Sequence, residues 1–169
     1  MTSSLVGSEM CIRDRNDLRL VTADYLGIDP NQPFDPESFV LSKRFDILGT
    51  YEAYKKFHVE EDGIPKTEDL LWTIVSTYTD WKVELTSSID MELSVREANT
   101  KRGSGQKETL PAGTHFVLLK TDGEAYAEAM LDDGRICEFE LEHPSEDEWE
   151  GRINGVSISD CFEYVPYAG

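Results

Sequence analysis

The sequence has 169 residues, of which 34 are acidic and 16 are basic, so its formal net charge at pH 7 is −18. This length predicts one domain or two small ones. The acidity argues against binding to nucleic acid or to an anionic membrane surface, because both require a basic face. No apolar run approaches the ~18 residues that a membrane-spanning helix needs, so we expect no membrane span.

The first fifteen residues differ in character from the rest of the chain. Residues 3–15 read SSLVGSEMCIRDR, and they resemble translated adapter sequence from the broken ends of shotgun-assembled genes. We therefore expect residues 1–15 to be a non-native leader, with a genuine flexible leader as the alternative. The fragment shows no signal peptide. We expect two further parts, an N-terminal β subdomain or extension at residues 16–88 and a second domain at residues 89–169.

In the first of these parts, short apolar stretches predict strands after an irregular connection that contains prolines. Residues 67–75 have two interpretations, a short helix capped by Thr67 or the approach to a buried strand at residues 71–75. The predicted strands of this part lie at residues 39–41, 45–48, 51–59 and 81–85. The second part begins with a predicted strand at residues 89–95, and a polar stretch at residues 98–105, predicted to be a loop, follows it.

Asp-Gly and Asn-Gly pairs are the strongest short-range signal for β-hairpins, because these residues tolerate the positive φ of the tight turns. The chain has four such pairs, at residues 62–63, 122–123, 133–134 and 154–155. The last three predict a meander of strands and a final hairpin. Within it, Ala127 and Ala129 alternate with Tyr126 and Glu128, which places the two pairs on opposite faces of one strand.

Several short motifs from residue 91 to residue 141 resemble those of the bacterial SH3-type (SH3b) family. They are Leu-Ser-Val-Arg at residues 93–96, Leu-Pro-Ala-Gly-Thr at 110–114, an aromatic strand residue at Tyr126, and Asp-Gly-Arg at 133–135. The family usually has Trp where Tyr126 stands. The resemblance implies a small SH3-like β-barrel at residues 89–169, so the predicted fold class is mostly β with little helix. It also implies an accessory module of an exported protein rather than a catalyst.

Aromatic side chains with polar neighbours are candidates for holding a sugar or a peptide. Tyr126 shares its strand face with Glu128, and Trp149 adjoins an acidic loop. We therefore take Tyr126, Glu128 and Trp149 as candidate binding residues. The alternative is that both aromatic rings pack inside the barrel or cover its open end.

Cys137 and Cys161 are 24 residues apart and have two interpretations. In an oxidising compartment a disulfide between them would contribute about 3 kcal/mol through loop-closure entropy. Alternatively they are two reduced thiols in the core, as expected for Cys137, which shares a strand face with buried apolar residues. The histidines, His58, His115 and His143, are scattered, and no sequence motif indicates a metal or another cofactor.

The sequence therefore predicts a non-catalytic accessory or binding domain of an exported bacterial protein, located outside the cytoplasm. Its partner would be a protein, a peptide or a cell-surface glycan, and not nucleic acid. The first alternative is a small hydrolase with a carboxylate pair or a Cys-His site. The second is a structural C-terminal domain of a larger enzyme.

Overall fold

The computed structural model of the protein describes residues 19–20, 35, 37–75, 83–142 and 150–167. Within these ranges the chain is mostly β, as the sequence predicts, with thirteen strands and one helix of four residues. No helix in this part of the chain is long and apolar enough to cross a membrane. The elements are β1 (Arg19–Leu20), β2 (Phe39–Asp46), β3 (Thr50–Val59), β4 (Pro65–Lys66), β5 (Trp72–Val75), β6 (Glu84–Thr86), β7 (Met91–Arg96), β8 (Gln106–Leu110), β9 (His115–Thr121), β10 (Tyr126–Leu131), β11 (Ile136–Glu140), β12 (Arg152–Ile153), β13 (Val156–Ser157) and α1 (Ile158–Cys161).

The strands pair in an antiparallel sheet whose order is β1-β2-β3-β5-β9-β10-β11-β7-β8. Strand β4 pairs with β3, β6 pairs with β9, and β12 and β13 form a separate hairpin. Because β5 pairs with β9, one sheet runs through both of the parts that the sequence analysis distinguished. Residues 71–75 therefore contribute a strand rather than a helix.

The described strands do not close into a barrel. Strand β9 pairs with β10 along one edge, and its other edge is occupied by β5 and β6. At the opposite side of the meander, β7 pairs with β11 and is followed outward by β8. The SH3-like barrel expected at residues 89–169 is thus replaced, in the part of the chain described, by an open sheet.

The four Asp-Gly and Asn-Gly turns are confirmed. Each connects two paired strands, namely β3 to β4, β9 to β10, β10 to β11, and β12 to β13. The glycine has a positive φ in all four, which is why these positions favour glycine. In the β9–β10 turn, the Asp122 carboxylate accepts hydrogen bonds from the backbone N–H groups of residues 124, 125 and 126.

The core lies on one face of the meander and is closed by the C-terminal segment. The rings of Phe116, Phe139 and Phe162 form a triangle with centroid separations of 5.3, 6.0 and 6.0 Å. Such edge-to-face contacts stabilise a core by about 0.5–1.5 kcal/mol each beyond burial alone. Phe162 follows α1 and bridges to Ser87, so the end of the first part and the C-terminal segment of the second part meet at this core.

Gly123 gives a test of the packing between β2 and the β9–β10 turn. Its φ is +88°, and a Cβ at this position would overlap with the ring of Phe45 on β2. We expect Gly123→Ala to lower the free energy of unfolding by about 2–4 kcal/mol, from backbone strain and overpacking together. Chemical denaturation measures the change.

The matched control for this substitution is Gly134→Ala. Gly134 has a similar φ of +86°, but nothing lies within 4 Å of its added Cβ. The unfolding free energy of this variant should therefore fall only by the cost of backbone strain at a positive φ, about 1 kcal/mol. Equal losses in the two variants would contradict the packing of Phe45 against the turn.

Candidate functional site

Two of the three predicted binding residues, Tyr126 and Glu128, are buried rather than exposed on the surface of the sheet. Tyr126 and Glu128 lie on β10 and are 7% and 5% exposed. Ala127 and Ala129 on the opposite face are fully buried in the core, so the alternation is as predicted but both faces are covered. The Tyr126 ring is therefore buried on the face away from the core, and its role in binding stays a prediction. Trp149 lies outside the described residues.

A buried ionic cluster lies on the face of the sheet that points away from the core. Arg96 Nη2 lies 3.0 Å from Glu128 Oε1, and Arg96 Nε lies 3.0 Å from Glu138 Oε1. The Tyr126 hydroxyl donates to Glu128 Oε1 at 3.0 Å, and the Ser94 hydroxyl donates to Glu138 Oε2 at 3.2 Å. We call these five residues the Arg96 cluster.

Residues 97–105 form a loop that covers this cluster. The backbone N–H of Gly103 donates to Glu138 Oε1 at 2.9 Å, and Arg96 Nη1 donates to the Thr100 carbonyl at 3.0 Å. The Arg102 guanidinium carbon lies 3.6 Å from the centroid of the Tyr126 ring, a cation–π contact. The sheet below and the loop above are thus held together by the same charged groups.

Gly105 brings the end of this loop against β7. A Cβ at Gly105 would overlap with the Ser94 hydroxyl and would lie 3.0 Å from the Val95 carbonyl oxygen. A glycine is therefore required by close approach rather than by a positive φ. The loop is fixed at its middle by the Arg96 cluster and at its end by this contact.

The electrostatics of the cluster keep its groups in their ordinary charge states. Burial acts to raise the pKa of Glu138, but hydrogen bonds from Gly103 and Arg96 outweigh it, and the pKa is lowered. Burial opposes the charge of Arg96, yet Glu138 and Glu128 together raise its pKa. Burial, followed by the charge of Glu128, raises the pKa of Tyr126. A general acid needs a carboxyl group with a raised pKa, and Glu138 is shifted the other way.

An open cleft of about 630 Å³ lies beside the covered cluster. One wall is the loop, with Asn99, Lys101 and Ser104, and the other is formed by β8 and Arg135. Arg135 is itself fixed, since Nη1 donates to both carboxylate oxygens of Glu108 at 2.9 and 2.8 Å. The cleft is therefore lined mainly by polar and charged side chains. Ion pairs fix Arg135, and hydrogen bonds to backbone groups fix the loop.

The two cysteines are buried and free in this structure. The Cys137 thiol donates to the Ala129 carbonyl, and the Cys161 thiol donates to the Val156 carbonyl. Burial raises the pKa of Cys137 to about 12 and that of Cys161 to about 11. Both are therefore protonated at neutral pH, whereas a nucleophilic cysteine requires a thiolate. The disulfide between them stays a prediction.

Two of the three histidines are described, and each lies beside carboxylates at the surface. His58 is 3.7 Å from Glu60, and His115 Nδ1 is 2.8 Å from Asp132 Oδ1. His143 lies outside the described residues. In the described part of the chain, no three His, Cys, Asp or Glu side chains are arranged to hold a metal ion.

Comparison of the chain with protein-family models, with curated proteins and with solved structures gives no match.

Arg96 entered the sequence analysis only within a family motif, and neither Arg96 nor Glu138 was proposed there as a site residue, although one signal pointed to them. A hairpin centred on the Asp-Gly pair at residues 133–134 places Glu128 directly opposite Glu138, as the structure has it. Like charges in direct cross-strand register destabilise a sheet, so this register requires a cation nearby. Arg96 lies opposite Ile136 on the next strand, where it meets that requirement.

Removing the cation tests whether the cluster holds the structure together. Arg96→Met leaves two buried carboxylates without a counter-charge, and loss of one partner of a buried ion pair costs about 3–5 kcal/mol. We expect a loss of that size in the free energy of unfolding, measured by chemical denaturation. Arg135→Met, which breaks the more exposed pair with Glu108, is the control and should cost much less, because solvent screens an exposed ion pair. Equal losses would contradict the buried cluster.

The lowered pKa of Glu138 predicts a defined acid dependence. Its ordinary value is 4.5 and its folded value lies below that, so its charge contributes stability that is present above pH 4.5 and is lost as the pH falls through the folded value. The difference in unfolding free energy between the protein and Glu138→Gln should therefore shrink on acidification below pH 4.5. Glu140→Gln, which removes an exposed charge from the same strand, is the control. A Glu138→Gln difference that stays constant across this range would contradict the assignment.

Proposed function

We propose that this protein is a non-catalytic binding domain of an exported bacterial protein, and that its binding site is the cleft between residues 97–105 and β8. The observation that carries the proposal is a cleft of about 630 Å³ whose loop wall is fixed in advance by the buried Arg96 cluster. Binding to a prearranged wall avoids the entropic cost of ordering a loop when the ligand arrives.

The charges around the cleft support binding rather than catalysis. Arg96 is bound to two carboxylates, and Arg135 is bound to Glu108 and Asp133. Glu138 has a lowered pKa and accepts hydrogen bonds from several groups. These paired groups are suited to holding the walls in place. A proton-transfer role would require a side chain whose pKa is shifted toward the working pH and which is not held in an ion pair.

The partner class is a protein, a peptide or a cell-surface glycan. All three present the polar groups that the cleft walls would contact. The exported location rests on the resemblance to SH3b domains at residues 91–141. A signal peptide encoded upstream in the intact gene would support that location.

A substitution that fills the cleft tests the site. Asn99 is exposed and lines the cleft, so Asn99→Trp adds a large side chain there without altering the Arg96 cluster. We expect it to weaken binding by at least about tenfold, equivalent to about 1.4 kcal/mol. The probes are isolated cell-wall glycan fragments and short synthetic peptides, and the measurement is NMR titration of the labelled protein.

Ser88→Trp is the matched control, because Ser88 is also exposed but does not line the cleft. Its affinity for the bound probe should equal that of the unsubstituted protein. No probe-dependent shift at any cleft residue would contradict the binding function. Turnover of a probe that Asn99→Trp abolishes would contradict the non-catalytic part of the proposal.

A further inference from the structure

The sequence segment that forms the loop and the start of β8 carries a net charge opposite in sign to that of the whole protein. Residues 96–107 contain four basic residues, Arg96, Lys101, Arg102 and Lys107, and one acidic residue, Glu97. The other residues of the chain therefore hold 12 basic and 33 acidic side chains. The loop and the start of β8 form a local basic segment in an otherwise acidic molecule.

Part of this positive charge is not neutralised inside the structure. Arg96 is neutralised by Glu128 and Glu138. Lys101 and Lys107 are exposed, and no described carboxylate forms an ion pair with either of them. The two lysine ammonium groups are thus accessible to an incoming ligand, beside the exposed carboxylate of Glu97 on the loop wall.

Strand β8 presents an unpaired edge beside these lysines. Of the strands that the structure describes, only β7 pairs with β8, which lies at the end of the sheet. The side chains of β8 alternate between the two faces of the sheet, so that Gln106 and Glu108 line the cleft and Lys107 lies on the opposite face. An edge strand offers a row of backbone N–H and C=O groups to another extended chain.

We propose that the outer edge of β8 binds an extended acidic peptide as an additional β strand. This inference rests on the proposed function, since it names the partner of the same cleft. Main-chain hydrogen bonds to β8 provide the pairing, and carboxylates of the peptide meet Lys101 at the cleft and Lys107 on the other face. The charge complementarity selects an acidic segment over a basic or neutral one.

Matched synthetic peptides test the charge preference. The probes are capped peptides of about eight residues, the length of an ordinary strand, in which Thr alternates with Glu, Gln or Lys. We expect the Glu peptide to bind at least about tenfold more tightly than the Gln peptide, and the Lys peptide not to bind. Equal affinity for the Glu and Gln peptides would overturn the proposal.

Alternate N-methylation of the Glu peptide tests the strand pairing. In a β ladder, alternate residues direct their N–H groups to the same neighbour, so methylating one alternate set removes the pairing donors and methylating the other set does not. We expect one methylated peptide to lose binding and the other to retain it. Retention by both would show a charge interaction without strand pairing, and loss by both would also contradict the proposed register-specific pairing.

Charge reversal on the protein locates the site. Lys101→Glu with Lys107→Glu should weaken binding of the Glu peptide by at least about tenfold, because each reversal replaces an attraction by a repulsion. The control is Lys56→Glu with Leu70→Glu and Ser88→Glu, which changes the net charge equally at exposed residues that do not line the cleft. Equal weakening by the two sets of substitutions would show that net charge, rather than this edge, attracts the peptide.

The outcomes separate this inference from the proposed function. A glycan or neutral peptide whose binding is sensitive to Asn99→Trp, together with no preference for the Glu peptide, would overturn the acidic-strand inference and leave the cleft as a binding site. If no probe binds in a way that Asn99→Trp weakens, both proposals are wrong.

Discussion

The guanidinium of Arg96 lies between two buried carboxylates on the face of the sheet that does not contribute to the core. Without the charge of Arg96, Glu128 and Glu138 would face each other across adjacent strands as unpaired like charges, an arrangement that destabilises a sheet. With Arg96, both charges are paired, and Glu138 can also accept the Gly103 N–H of the covering loop. The position of the loop, the burial of Tyr126 and the wall of the cleft all depend on this one side chain.

A buried ion pair is weak evidence for net stability, because the cost of desolvating the charges offsets much of their attraction. In this protein the buried ion pairs instead determine which arrangement the covering loop adopts. A hydrophobic cluster of similar volume would also bury the face, but it would not direct a specific backbone N–H or carbonyl of residues 100–103 to a specific atom. The charged groups therefore fix the loop in one arrangement, and the cleft beside it is formed before a ligand binds.

The local features of the fold were predictable from the sequence, since turns and strands depend on neighbouring residues. The Asp-Gly and Asn-Gly turns and the alternation along β10 follow from φ preferences and from the two-residue period of a strand. Residues 67–75 were ambiguous in sequence, and the strand forms because β3 and β9 provide partners for both of its edges. In the described part of the chain the barrel expected from the family motifs does not close, and β5 and β6 occupy the second edge of β9.

The candidate site was less accessible to sequence reasoning. Alternation assigns Tyr126 and Glu128 to the face away from the core, but it does not say whether another segment covers that face. The covering loop has a polar sequence typical of solvent-exposed loops, and its contacts with Glu138 and Tyr126 come from residues more than twenty positions away. Such contacts follow from sheet register, which only the paired strands establish.

The covered face also changes where recognition can take place. Because loop 97–105 lies over β10 and β11, the aromatic ring of Tyr126 stacks against Arg102 and is buried. Under the proposed function, the surfaces available for binding are the outer side of the loop and the edge of β8, and both carry lysines. The same lysines disfavour pairing of β8 with the β8 edge of a second copy, because like charges would then approach each other. If the edge attracts acidic strands as proposed, it can stay open in an acidic protein without leading to self-association, because it repels its own copy.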